Sequence, residues 1–107
     1  MQAWNVIELI SYVDSGSEDN YGDPVLTEQR QQVYAECRSI TQTEFYQAQT
    51  AGFKPEIKFV LTTSRDYSGQ EEIAFDGIRY KVLKTYIPQN DGIEITCYGG
   101  VRDDAST

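Results

Sequence analysis

The stretch Ile73-Ala74-Phe75-Asp76-Gly77-Ile78-Arg79-Tyr80-Lys81-Val82 decides the fold. Asp-Gly between two runs of β-formers suits a type I′ turn, whose twist matches that of paired antiparallel strands. The second strand continues through Leu83, Tyr86 and Ile87 to Pro88, which has no N–H for a ladder. Asn90-Asp91-Gly92 then turns the chain into Ile93–Tyr98, where Ile93, Ile95 and Cys97 share one face. Three sequential antiparallel strands make a meander.

Toward the N-terminus the same period of two recurs. Ile57, Phe59 and Leu61 alternate with Lys58, Val60 and Thr62, and Ser64-Arg65-Asp66-Tyr67-Ser68-Gly69 closes that segment with turn formers. Over Gln32–Ser39, Val33, Ala35 and Cys37 alternate with Tyr34, Glu36 and Arg38, a half-buried strand with Cys37 facing inward. Trp4–Tyr12 is rich in β-branched and aromatic residues, and Asp14-Ser15-Gly16-Ser17 is expected to stop it. The acidic segment from Asp14 to Thr27, with Gly16, Gly22 and Pro24, reads as a mobile, solvated loop.

One segment departs from the β pattern. Thr41-Gln42-Thr43-Glu44 matches a capping box, in which hydroxyl and carboxylate satisfy each other's exposed backbone amides, and Gly52 with Pro55 supplies a stop. A helix of about Thr43 to Ala51, within an insertion of about 41–52, follows. It carries a thin apolar stripe and is shorter than the ~12–15 residues at which an isolated helix is marginal. It needs a partner surface, its own barrel or another subunit.

The pattern predicts a mainly β fold: a small six-stranded antiparallel β-barrel with one short helix inserted between strands, closure removing exposed edges. An open sandwich is the alternative. One domain over 1–99 and a frayed tail over 100–107 complete the organisation, since 107 residues leave no room for a second core.

Nine Lys and Arg against seventeen Asp and Glu give a net charge of −8, the wrong sign for neutralising phosphates. The eight tyrosines suggest a base-stacking platform, but such a site also needs a basic groove. No apolar run of about 18 residues occurs and the start lacks the pattern of a signal peptide, so folding in the cytoplasm without a membrane is expected.

Histidine is absent and no serine or cysteine sits in a nucleophile signature, so no catalytic residue is assigned. Asp14, Glu18, Asp19 and Asp23 lack the spacing of a calcium loop, while Glu71-Glu72 and Asp103-Asp104 read as surface charge. Gly99-Gly100 and Asp91-Gly92 read as turn or terminus glycines, with no helix or Lys-Ser to hold a phosphate. Cys37 and Cys97, far apart and outside any CxxC, read as two buried thiols, and no metal or cofactor is expected.

Glu36-Cys37-Arg38-Ser39-Ile40, then Thr43–Glu56 with its EFYQAQ segment, then Phe59-Val60, resembles the head-tail joining, or head-closure, proteins of tailed bacteriophages. The resemblance continues through Asp66-Tyr67, Phe75–Val82 and Lys84-Thr85-Tyr86, with Asp14 to Val25 similar to the family's polar first loop. Only the C-terminal tail lies outside it.

The resemblance implies a barrel that assembles as a homo-oligomeric ring below the portal and its adaptor. Such a ring retains packaged double-stranded DNA and offers a platform to a tail protein. It implies the host cytoplasm during assembly and then the virion head-tail junction. In related proteins a loop between strands projects toward the ring axis; Ile40 to Lys54 matches it, making Thr43, Glu44, Phe45, Tyr46, Gln47, Ala48 and Gln49 the candidate interface or channel-loop residues. The competing reading of this segment has Phe45 and Ala48 covering one end of the barrel while Tyr46, Gln47 and Gln49 face water. Alternatives for the whole chain are a monomeric OB- or SH3-like module binding a peptide or oligonucleotide, and another tail-joint protein such as a terminator.

Overall fold

The computed structural model describes residues 4–50, 52–88 and 91–103. The expected helix end at Ala51 and the Asn90 of the turn before the last strand lie outside them. Six antiparallel strands, β1 (Trp4–Glu18), β2 (Pro24–Arg38), β3 (Pro55–Leu61), β4 (Glu72–Phe75), β5 (Ile78–Tyr86) and β6 (Ile93–Arg102), close a barrel in the order β1-β2-β3-β6-β5-β4. The helix α1 (Gln42–Thr50) lies between β2 and β3, and a 3₁₀ turn (Ser64–Asp66) between β3 and β4. The expected mainly β barrel with one helical insertion is the observed architecture.

The deciding hairpin forms as its turn chemistry requires. Phe75 pairs with Ile78, and Asp76 and Gly77 both adopt positive φ, 53° and 78°, the two left-handed positions of a type I′ turn. Closure comes from Glu8, Leu9 and Ile10 of β1 pairing with Ala74, Ile73 and Glu72 of β4. The core is the inward set of alternate residues, among them Ile7, Leu9, Val33, Ala35, Phe59, Leu61, Ile73, Ile93, Ile95 and Cys97. Phe59, fully buried, meets Phe75 and Tyr80 edge-on at centroid distances of 5.6 and 5.9 Å.

Several expectations are corrected. β1 and β2 each run 15 residues, through most of the segment expected as a loop. The turn formers at Asp14–Ser17 irregularise the ladder instead of ending it. The register shifts between Asp14 and Glu18 while Gly16 N–H donates to Asp14 Oδ1 (2.8 Å) and the Ser15 hydroxyl to the Val25 carbonyl (2.7 Å). The chain reverses only at Asp19–Asp23, where Asp19 Oδ1 accepts from the amides of Tyr21 and Asp23. The solvation expected for this segment holds, since every residue from Tyr12 to Thr27 is exposed.

The expected tail also starts too early. β6 continues to Arg102, and Gly100 is a packing glycine: a Cβ there would lie 2.8 Å from the Tyr80 ring. Asp103 is buried rather than a surface charge, while Asp104–Thr107 lie outside the described residues. Lys58 breaks the expected alternation of β3, because α1 and β6 cover its face and leave it buried.

Candidate subunit-contact surface

The helix α1 begins one residue earlier than the expected Thr43, because Thr41 is its cap. Glu44 N–H donates to Thr41 Oγ1 (3.2 Å) and Thr41 N–H to Glu44 Oε1 (3.3 Å), the reciprocal bonds of a capping box. Its end is equally specified. Phe53 N–H donates to the Ala48 carbonyl and Gly52 N–H to the Gln49 carbonyl, both at 2.9 Å, with Gly52 at φ +86°. That is the Schellman pattern, and it satisfies carbonyls the last turn would otherwise leave open.

One ion-pair group fastens the helix to the barrel. Lys58 Nζ lies 3.0 Å from Glu44 and 3.2 Å from Glu94. Burial alone would lower the Lys58 pKa; its bonds to the two carboxylates outweigh that and leave it raised. Burial likewise pushes Glu44 up, but the bonds from Lys58 and Thr41 prevail and hold it below its ordinary value.

The candidate residues divide by face. Glu44, Phe45 and Ala48 are half-buried, whereas Thr43, Tyr46, Gln47 and Gln49 are exposed. The Tyr46 ring stands edge-on to Phe45 at 6.2 Å and remains 59% accessible. Beside the helix, Gln47, Ala48, Phe53, Leu83 and Lys84 line a shallow cleft of about 190 Å³, its floor apolar. Phe53 is held there by an edge-on contact with Tyr98 at 5.0 Å.

A second surface stands at the other end of β2. Past Ile10 on β1, and before Glu36 on β2, the two strands pair only with each other, so the β1–β2 hairpin leaves the barrel as a two-stranded arm. Tyr21 at its tip is 91% accessible and Leu26 59%, with Val13 and Val25 also exposed. Its base is clamped by a network that pattern reading misses, since it joins residues up to 73 apart in the chain. Arg30 makes a two-pronged contact with Asp103 at 2.8 and 2.9 Å, Arg79 reaches both Asp103 (3.3 Å) and Glu28 (2.8 Å), and Tyr12 donates to Glu72 (2.5 Å). The bond from Arg30 holds Glu28 below its ordinary pKa.

The two thiols differ from the expected pair. Cys97 is fully buried, its pKa pushed up to about 12 by burial, while Cys37 is half-buried and accepts from Asn5 Nδ2 at 3.6 Å. Among the described residues no group of three or more potential ligands could hold a metal ion, and no helix is long and apolar enough to cross a membrane. The chain matches no family model and no curated protein.

Proposed function

We propose that this chain is a structural connector of a tailed phage or prophage: a barrel that assembles as a head-closure ring below the portal and adaptor, retains packaged DNA and seats the tail. The observation that carries the reading is the segment Thr41–Thr50. It is capped at both ends, anchored at its base by Glu44 and Lys58, and presents Tyr46, Gln47 and Gln49 outward. Most of this stretch, from Thr43 on, belongs to the run of sequence that resembles the head-closure family.

On this reading the protein does no covalent chemistry of its own, and its working contacts are with copies of itself, the adaptor and a tail protein. It assembles in the host cytoplasm and ends at the virion head-tail junction. A net charge of −8 suits a conduit, because repulsion lets a polyanion slide past instead of sticking. Phe45 and Ala48 are half-buried, which fits them as the cover of the barrel's end and leaves the exposed residues of α1 for neighbours.

Electron microscopy and native mass spectrometry of the chain mixed with portal–adaptor complexes test the proposal. A ring seated on the adaptor is expected; failure to form or join one sinks it. Changing Phe45 and Tyr46 together to alanine should leave the barrel folded and impair assembly or DNA retention. Global unfolding of that variant would assign the segment to covering the barrel alone.

A further inference from the structure

The arm and the helix lie at opposite ends of one strand. β2 leaves the tip at Pro24 and enters α1 just after Arg38, and 15 residues at about 3.3 Å each separate the two surfaces by most of the molecule's 48 Å length. Their chemistry is complementary. From Tyr12 to Thr27 the arm carries Asp14, Glu18, Asp19 and Asp23 and no lysine or arginine. Leu26, exposed, sits directly across the ladder from Asp14, so an aliphatic side chain and a carboxylate stand together.

At the other end, the cleft beside α1 has Phe53, Leu83 and Ala48 as apolar lining, Lys84 at its edge and Lys54 next in the chain. Neither lysine has an ion-pair partner among the described residues. The cleft volume of about 190 Å³ exceeds the ~150 Å³ of a cavity that admits benzene.

We infer that the arm of one copy docks on the α1–β5 cleft of the next, Leu26 entering between Phe53 and Leu83 while the arm carboxylates meet Lys84 and Lys54. The contact joins two different patches, so it is head-to-tail and closes into a ring if the rotation permits. The inference deepens the connector reading and rests on it for the ring that results. It also accounts for an arm whose apolar residues Val13, Val25 and Leu26 are not covered by any of the described residues.

The test mixes Leu26→Cys and Leu83→Cys variants, at millimolar concentration alone and separately on portal–adaptor complexes, under mild oxidation. A disulfide-linked dimer is expected in the mixture and in neither variant alone. Lys84→Glu with Lys54→Glu should weaken self-association at least tenfold, and Glu18→Lys with Asp23→Lys on the arm should restore it. Rings that seat on the adaptor without the cross-link and tolerate the lysine reversals overturn the arm contact and leave the connector reading standing. A cross-linked dimer that never engages the adaptor upholds the contact and removes the connector reading. Cross-linking of the Leu83→Cys variant only to adaptor or tail protein assigns the cleft to another occupant and overturns the inference.

Discussion

The two halves of the β1–β2 hairpin share one ladder and one turn but live in different environments. In the proximal half, Ile7, Leu9, Val33 and Ala35 face a core and are buried. In the distal half, the same alternation places Val13 and Val25 in solvent, and Leu26 on the opposite face is exposed as well. Hydrogen bonding between strands is therefore common to both, and burial separates them. Isolated two-stranded ribbons are marginal in water, so the barrel half supplies the stability that the arm half cannot supply for itself.

The largest effect should come from the barrel half. Phe59→Ala removes a fully buried ring packed against Phe75 and Tyr80 and should cost about 3–5 kcal/mol in denaturant unfolding. Leu26→Ala on the arm should stay within about 0.5 kcal/mol. Similar losses at the two positions would break the division.

The boundary between the halves is electrostatic. Asp103→Asn leaves Arg30 and Arg79 short of a carboxylate whose side chain is fully buried, and should cost roughly 1.5–3 kcal/mol, the range for hydrogen bonds to charged groups. Hydrogen exchange should then quicken at Tyr12 and Glu28 before it does at Leu9. Glu28 sharpens the point with pH. Its folded pKa is depressed, chiefly by the bond from Arg30, so its contribution is present above the ordinary carboxylate pKa and is lost as pH falls through the lower folded value. A Glu28→Gln variant should show a shallower loss of stability on acidification below about pH 4, and an unchanged slope would remove Glu28 from the clamp.

The barrel is legible in sequence because its signals are local: the Asp76-Gly77 turn, the alternation at Val33–Cys37 and Phe59–Leu61, and the box at Thr41–Glu44 each need only near neighbours. The arm is hidden for a physical reason. Asp, Ser and Gly are turn formers by propensity, yet Asp14 and Ser15 spend their side chains patching an irregular ladder, and only Asp19 builds the turn. Asp103 reads as surface charge because its partners, Arg30 and Arg79, are brought to it by closure of the sheet, which no local pattern encodes. At the helix, the half-buried Phe45 and Ala48 against the exposed Tyr46, Gln47 and Gln49 follow the face division the sequence offers, whereas the cleft with Leu83 and Lys84 exists only because β5 passes beside α1.

A smaller effect lies at the helix. Thr41→Ala removes the hydroxyl that caps Glu44 N–H and should cost about 1 kcal/mol. Thermal unfolding read by circular dichroism measures it, and Thr41→Ser should recover most of the loss.

An effect nearly as small as that of Leu26→Ala is expected where the most chain is removed. Replacing residues 14–26 with Asn-Gly joins Val13 to Thr27, a ladder pair already in register, by a two-residue turn suited to a hairpin. The deleted segment buries none of its residues. Its backbone hydrogen bonds contribute about 0.5–1.5 kcal/mol each, and ordering each residue costs a similar 1–2 kcal/mol, so the terms cancel. Stability should change by less than about 1 kcal/mol, with an unfolding slope against denaturant lowered only by the lost chain, since that slope follows surface newly exposed. A loss of several kcal/mol would show the arm to be part of the cooperative unit. With stability unchanged, any assembly defect of the shortened chain comes from the arm's contacts alone, which separates folding from association in one variant.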